Sequence, residues 1–331
     1  MQECYKDKRL DFCFLWQVHI LIKPMYNFFL KLSFQRKQKD FLLKKLCLSA
    51  VFVCISFWAF AQGSPEIGLF GGLSTYNGDM SPQRLYLRQS HAALGVLFRA
   101  PVYKGLGVRV GVTLGDISGN DRDAKDSSLM LRNLNFGSSI VDFHVAAEYD
   151  FFDIDRVGFT PYVFAGLALY HFNPYSHDTS GQKVYLQPLS TEGQGLSAYP
   201  DRSSYKLTQF AIPFGAGVKF AITDVLNLGV EFSMRKTFTD YLDDVSKTYV
   251  DENTLLAERG QTAVDFAYRT NKLPGHEKDM YPPDGTIRGS GKYDDWYYFA
   301  GVTLTYRLDG GRGNGLFGNA LRAVRCPFGK K

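Results

Sequence analysis

The chain has 331 residues, with 38 Lys and Arg against 33 Asp and Glu, and a formal net charge of +5. Aromatic residues make up 15% of it and hydrophobic residues 45%, which excludes a disordered chain, because disorder requires few aromatic residues and a high net charge. A coiled coil is excluded as well, since it requires an excess of Ala, Glu, Lys and Leu. The positive charge indicates a nucleic-acid partner only if it lies within the folded part of the chain.

The first predicted element is a targeting segment. Lys44 and Lys45 precede an uncharged run over 46–60, which ends in Ala59-Phe60-Ala61. A basic region, a short apolar stretch and an A-x-A site predict a Sec signal peptide cleaved after Ala61. The run is shorter than the roughly 20 residues of a transmembrane helix, so an uncleaved anchor is the weaker alternative. Residues 1–43 are too long for a basic region, and we hypothesise that translation begins nearer Lys44.

Cleavage changes the charge balance. Residues 1–61 carry ten basic and four acidic residues, and the 28 basic and 29 acidic residues that remain give a net charge of −1. Nucleic acid is therefore not expected as a partner. Four of the five cysteines are also lost, and Cys326 alone predicts no internal disulfide.

The segment 62–308 is predicted to form an all-β, eight-stranded antiparallel transmembrane barrel of OmpA-like size. Eight segments show period-2 patterning, and each reaches the 9–11 residues that a tilted strand needs to cross a bilayer. They span 66–76, 89–100, 105–116, 137–152, 159–173, 207–222, 226–240 and 294–308.

The two faces of these strands predict which side meets lipid. One face carries rings and branched apolar side chains, as in Val108, Val110 and Val112. The other is mostly Gly, Ala, Ser and Thr with a few charges of both signs. A soluble barrel would carry a dense polar face, so we expect the apolar face to point outward and the small residues to fill a narrow lumen.

The connections favour the same placement. Short links at 101–104, 153–158 and 223–225 alternate with long ones at 77–88, 117–136, 174–206 and 241–293. Outer-membrane barrels have short periplasmic turns and longer external loops, so we expect a monomeric barrel in the outer membrane with both termini in the periplasm. Rings near the strand ends are expected at the lipid headgroups. They are Tyr149, Phe151, Phe152, Trp296, Tyr297 and Tyr298.

The small-residue face collects a balanced set of charges. Four acids, four bases and one histidine are predicted to form a structural network inside the lumen: Glu66, Arg99, Arg109, Asp142, His144, Glu148, Lys219, Glu231 and Arg235. Buried charges are tolerated when they are paired, and a balanced set indicates a closed lumen without a large pore. A hydrolase triad of Asp142, His144 and either Ser139 or Ser233 is the alternative. We expect no catalysis, because these residues point into a narrow core.

The loops and the tail give no metal or cofactor signal. Asp243 and Asp244 lack calcium-loop spacing and are expected on a solvated surface. His171, His177 and His276 have no metal-ligand spacing. The glycine-rich start of the tail, 309–331, lacks the ending of a phosphate loop. Its basic residues predict either a disordered periplasmic tail or one that contacts a partner or an anionic surface.

Three segments also resemble a known family. EIGLFGGLSTYNGD at 66–79, FTPYVFAG at 159–166 and DDWYYFAGVTLTY at 294–306 resemble the PorG-like outer-membrane barrels of Bacteroidetes, components of the type IX secretion system. The resemblance implies a non-enzymatic accessory role in association with periplasmic secretion-complex proteins, and no catalytic residues. It does not separate a secretion component from a paralogue. A lipid-modifying enzyme and a surface adhesin that uses the long loops are the alternatives.

Overall fold

Eight long strands close into one antiparallel barrel in this computed structural model, which describes residues 65–81 and 87–308. The barrel strands are β1 (Glu66–Asn77), β2 (Ser90–Tyr103), β3 (Leu106–Asn120), β4 (Asn135–Asp150), β5 (Phe159–His171), β8 (Thr208–Ala221), β9 (Leu226–Lys236) and β10 (Trp296–Arg307). Each pairs with its neighbour, β1 pairs with β10, and β3 pairs with β4, so the described sheet leaves no barrel edge unpaired. The predicted eight-stranded barrel is confirmed, while the signal segment and the tail lie outside the described residues.

Strand orientation follows the predicted alternation. Burial alternates strictly along β4, where Val141, Phe143 and Val145 are exposed and Asp142 and His144 are buried. Small residues face inward where strands pack closely: Gly72 lies opposite Gly301, and a Cβ at Gly72 would lie 2.3 Å from a main-chain oxygen. These glycines leave the lumen free for larger charged side chains on other strands.

The connections alternate in length as predicted. At one end, which we call the short-turn end, the links are 104–105, 151–158 and 222–225. The second of these holds helix α2 (Ile154–Val157), which Asp153 caps and Gly158 ends in the left-handed conformation. At the other end, the long-loop end, the connections are 78–89, 121–134, 172–207 and 237–295.

The connections 121–134, 172–207 and 237–295 are folded. They hold helices α1 (Ser127–Arg132), α3 (Glu252–Arg259) and α4 (Gln261–Ala267) and a small hairpin of β6 (Tyr175–His177) and β7 (Lys183–Tyr185). Residues 121–134, 172–207 and 237–295 form what we call the cap. One apolar cluster joins cap residues such as Leu242 and Phe172 to barrel residues such as Tyr76, and a second, around Val250 and Leu255, lies within the cap. The sequence patterns predicted none of these elements.

Candidate functional site

The structure places all nine charged residues of the predicted network on the inward faces of the barrel strands. Eight of them are at most 5% exposed, and the side chain of Glu66 is 13% exposed at the short-turn end. They divide into two ion-pair clusters along the lumen, with Glu66 below them.

Glu148 is the centre of the first cluster. Its carboxylate accepts hydrogen bonds from Lys219 Nζ at 2.6 Å, Arg99 Nε at 3.2 Å and Arg109 Nη1 at 3.4 Å. Lys219 also lies 2.6 Å from Asp150. One carboxylate thus holds three cations that come from β2, β3 and β8, and it ties separate strands together across the lumen.

Glu231 joins the same cluster from β9. Arg109 donates to both of its oxygens, at 2.7 and 3.1 Å, and Tyr162 donates its hydroxyl at 2.7 Å. The Arg109 guanidinium also lies over the ring of Phe164, 4.2 Å from its centroid. The bidentate pair and the ring together fix the orientation of Arg109.

The second cluster surrounds Asp142. Arg235 Nε donates to it at 3.1 Å, the Tyr297 hydroxyl at 2.8 Å, and His144 Nδ1 at 2.9 Å. Because the ionised carboxylate can only accept, it holds His144 in the tautomer with a proton on Nδ1. At the short-turn end, Glu66 accepts hydrogen bonds from Asn227 and Thr305 and lies 3.7 Å from Arg99.

The space left between the two clusters is small. A cavity of about 10 Å³, which has room for one water molecule at most, is lined by Arg109, His144, Ser233 and Arg235 among others. His144 Nε2, Arg109 Nε and Arg235 Nη1 have no protein hydrogen-bond partner. Side chains of both clusters, among them Arg109, Glu231 and Arg235, surround this space.

Three further groups complete the clusters, and the sequence reasoning missed them. Tyr162 and Tyr297 point inward, and Asp150 contacts Lys219. Tyr297 was expected at the headgroups. That assignment is wrong, because the residue is fully buried and donates to Asp142. Tyr297 and Tyr298 are consecutive in the strand and therefore point to opposite faces, and this alternation could have identified Tyr297 as the inward residue.

The geometry gives little support to the alternative hydrolase triad of Asp142, His144 and a serine. Ser139 is exposed on the outer face and donates to Asp116 at 2.6 Å, away from His144. Ser233 does line the small cavity with His144, but it is 2% exposed and its hydroxyl is directed to the Phe299 carbonyl. Ser233 and His144 are each only 2% exposed, so neither is open to a substrate.

The cap contains a buried carboxyl cluster that corrects the expected solvation of Asp243 and Asp244. Both residues are fully buried. Asp243 accepts a hydrogen bond from Tyr76, and Asp244 accepts from Tyr205 at 2.7 Å and from Thr191. These partners lie far away in the sequence, so the adjacent acids gave no sign of burial.

Arg288 and Arg132 pair with two other carboxylates of the cap. Arg288 donates to Glu192 at 2.9 Å and to the Asp244 carbonyl at 2.7 Å. Arg132 binds Asp121 through two hydrogen bonds of 2.7 Å and donates to the Arg288 carbonyl. The cap is therefore held by buried charges as well as by its apolar clusters.

The cap is expected to lose stability as the pH rises. Burial, reinforced by the nearby charge of Asp243, raises the pKa of Asp240 to about 9, and burial raises the pKa of Asp244 to about 6. An unfolded Asp has a pKa of about 3.9, so the folded cap binds more protons between these values. The contribution of both groups is complete below about pH 4 and is lost as the pH passes through about 6 and about 9.

Amide hydrogen exchange of residues 237–295, corrected for intrinsic rates, measures this loss from about pH 5 to about pH 9. The Asp240→Asn variant is the control and should remove the upper part of the loss. Protection that stays constant or increases over this range would contradict the assignment.

Among the residues described, no cluster of His, Cys, Asp and Glu has the geometry to hold a metal ion. No helix in the same residues is both long enough and apolar enough to cross a membrane.

Comparison with known proteins identifies the family. Residues 44–259 match the family described as "Domain of unknown function (DUF6089)". The chain belongs to this family. The match to DUF6089 includes seven of the eight barrel strands and ends at the last residue of α3, before β10. No curated protein matches the chain.

Solved structures with similarity to this DUF6089 protein include three bacterial proteins. Neisserial surface protein A is 9% identical (TM-score 0.36), the outer membrane protein OprG from Pseudomonas aeruginosa 10% (0.35), and a major outer membrane protein from Thermus thermophilus 12% (0.36). Each match covers 74% of this chain, and 98%, 97% and 100% of those chains, respectively. The strand pairing and side-chain orientation of the chain itself establish its architecture: an outer-membrane type of β-barrel with apolar side chains outside and charged groups inside.

Proposed function

We propose that this protein is a non-enzymatic, non-conducting integral outer-membrane barrel that acts as an accessory or anchoring component of a type IX protein secretion machine. The observation that carries the proposal is the closed lumen, in which two ion-pair clusters leave a cavity of about 10 Å³. A barrel that transports nothing through its lumen is suited to holding other proteins at the membrane.

The apolar exterior supports the membrane placement. Leu94, Val96, Leu167 and Val230 are between 55% and 67% exposed on the outer face of the barrel. Such an apolar belt is unstable in water and stable in lipid. Exposed rings at the short-turn end, among them Tyr149, Phe151 and Phe152, match an interfacial girdle.

A charge placed in this belt tests the membrane placement. Val230→Lys is expected to lower the stability of the folded barrel by about 2–4 kcal/mol, because the lysine would lie near the bilayer midplane. Urea titration in lipid vesicles, read by heat-modifiable migration on a gel, measures the effect. Leu256→Lys, on the exposed face of a cap helix, is the matched control and should change stability by less than about 0.5 kcal/mol.

The closed lumen predicts an absence of conductance. Purified protein in planar bilayers should show no steady nanosiemens channels, because charged side chains fill the lumen across its width. Single-channel recording is the direct measurement. Reproducible open channels would refute the non-conducting role, whatever the barrel's partners are.

The secretion role rests on the resemblance of the segments at 66–79, 159–166 and 294–306 to PorG-like barrels. We propose that the monomeric barrel meets periplasmic secretion-complex proteins through its short-turn end and the basic tail that follows β10. Deletion of the gene, followed by an assay of secreted cargo and a pull-down of periplasmic partners, tests this. Normal secretion together with no recovered partner would end the secretion proposal but leave the membrane barrel intact.

A surface-binding barrel is the second candidate, and the folded cap is the observation that favours it. Buried ion pairs and an apolar cluster of its own hold the cap in a fixed external shape. Loops of this length are often functional. A lipid-modifying enzyme receives no comparable support, because Ser233 and His144 are enclosed.

A further inference from the structure

The cap carries an open cleft of about 530 Å³ between α1 and the segment 282–290. This volume lies within the range of small-molecule sites, which are typically about 300–1,000 Å³. Apart from Asp79, the lining residues of the cleft belong to the cap, and none of them is part of the lumen clusters. It therefore forms a second feature that the proposed membrane role does not use.

The rim of the cleft is apolar and exposed. Leu131 is 42% exposed and Ile287 is 79% exposed, and both line the cleft together with Leu129 and Pro282. An exposed isoleucine beside a cavity retains an apolar surface that a ligand can cover.

The base of the cleft carries polar groups without partners. Tyr249 and Tyr268 are more than nine-tenths buried, their ring centroids lie 6.2 Å apart, and both line the cleft. Neither hydroxyl forms a hydrogen bond with any described residue. Neither oxygen is among the enclosed side-chain atoms that lack a partner, so both hydroxyls are open to the cleft and can donate to a ligand there.

Arg288 adds a third donor at the base. Its Nε and Nη1 are occupied by Ala267, Glu192 and Asp244, whereas Nη2 has no hydrogen-bond partner among the described residues. The neighbouring Arg132 is fully committed to Asp121 and to main-chain oxygens. Burial raises the pKa of Asp79, the carboxyl in the lining, which reduces its repulsion of an anion.

We propose that this cleft binds a carboxylate attached to an apolar body, with the carboxylate on Tyr249, Tyr268 and Arg288 and the apolar body against Leu131 and Ile287. The guanidinium can only donate, and both hydroxyls can donate to the same group, so an anionic acceptor is favoured over an amine. Both the free carboxyl terminus of a peptide and a small free acid have this chemistry.

Isothermal titration of the full-length protein in nanodiscs, with empty nanodiscs as the blank, tests the site. The probes are the tripeptide Ala-Ala-Leu, its carboxyl amide, and 4-methylvalerate. The amide should bind at least about tenfold more weakly than the free tripeptide, because it loses the charge-assisted hydrogen bonds. Binding of 4-methylvalerate as tight as that of the tripeptide assigns a free acid, whereas tripeptide binding alone assigns a peptide terminus.

Isosteric variants locate the site without unfolding the cap. Tyr249→Phe and Tyr268→Phe remove only the hydroxyls, and each should weaken binding about three- to tenfold. Tyr281→Phe is the matched control, since its ring lies 5.7 Å from both tyrosines but does not line the cleft. Ile287→Ser should also weaken binding, whereas Met280→Ser, at an exposed position outside the cleft, should not.

Two results would overturn the site. One is equal affinity for the tripeptide and its amide, or no measurable affinity for any probe. The other is unchanged affinity in both tyrosine variants. Neither result depends on secretion or on conductance, so failure here leaves the membrane role standing.

Discussion

Glu148→Ala is expected to lower the free energy of unfolding of the barrel by about 3–5 kcal/mol, the usual cost of removing one partner from a buried ion pair. Glu148 holds three cations, and each of them is at most 5% exposed. Arg109 keeps Glu231 and Lys219 keeps Asp150, but Arg99 retains only contacts of 3.7 and 4.0 Å. The cost arises mainly from this poorly compensated guanidinium.

Urea unfolding in lipid vesicles measures the change, with the folded fraction read from heat-modifiable migration. Glu66→Ala is the matched control on the same lumen face. Its side chain is partly exposed and accepts hydrogen bonds from the neutral groups of Asn227 and Thr305, so a loss of about 1 kcal/mol is expected. Equal losses in the two variants would mean that water reaches Glu148 and that the lumen is open.

The barrel itself was predictable because its two environments impose a period of two on every strand. Val141, Asp142 and Phe143 alternate between lipid and lumen, so one strand already shows both faces. The number of strands and the alternation of short and long links then determined closure and the two ends. The strand ends were predicted less accurately. For example, β9 ends at Lys236, whereas the alternating pattern predicted a strand that continues to residue 240.

The lumen pairs were only partly predictable. Sequence placed Glu148 and Lys219 on inward faces, but only the register of eight strands brings Lys219 Nζ within 2.6 Å of the carboxylate. The sequence did not place Tyr162 and Tyr297 in the lumen, because aromatic rings were assigned to the lipid-facing side. A phenol that donates to a buried carboxylate is stabilised inside, which hydrophobicity alone does not reveal.

The cap was the least predictable part. Burial of Asp243 and Asp244 depends on Tyr76, Tyr205 and Arg288. Tyr76 lies in β1, Tyr205 lies in the connection 172–207, and Arg288 lies 44 residues beyond Asp244 in the same connection. Whether these charges face water or are buried depends on partners far away in the sequence. The local composition is that of a charged loop in both situations, so it could not predict the burial. The same contacts make the cap a folded unit, which Tyr76 and a shared apolar cluster join to the barrel.

Arg288→Ala is expected to destabilise that unit by about 3–5 kcal/mol while leaving the barrel folded. The change removes hydrogen bonds to Glu192, to the Asp244 carbonyl and to the Ala267 carbonyl. Glu192 would remain fully buried with main-chain donors but without its cation. The connections 172–207 and 237–295 meet at this guanidinium, so their packing should loosen together.

Limited proteolysis of intact vesicles separates the two units, since cuts in 172–207 or 237–295 report the cap and heat-modifiable migration reports the barrel. Lys272→Ala is the matched control, because its 3.4 Å pair with Asp265 is more than a third exposed and contributes little. Faster cleavage with an unchanged barrel is the expected result for Arg288→Ala. Loss of the barrel as well would mean that the cap is part of one cooperative structure with the strands, and the cleft at its surface could then change only together with the barrel.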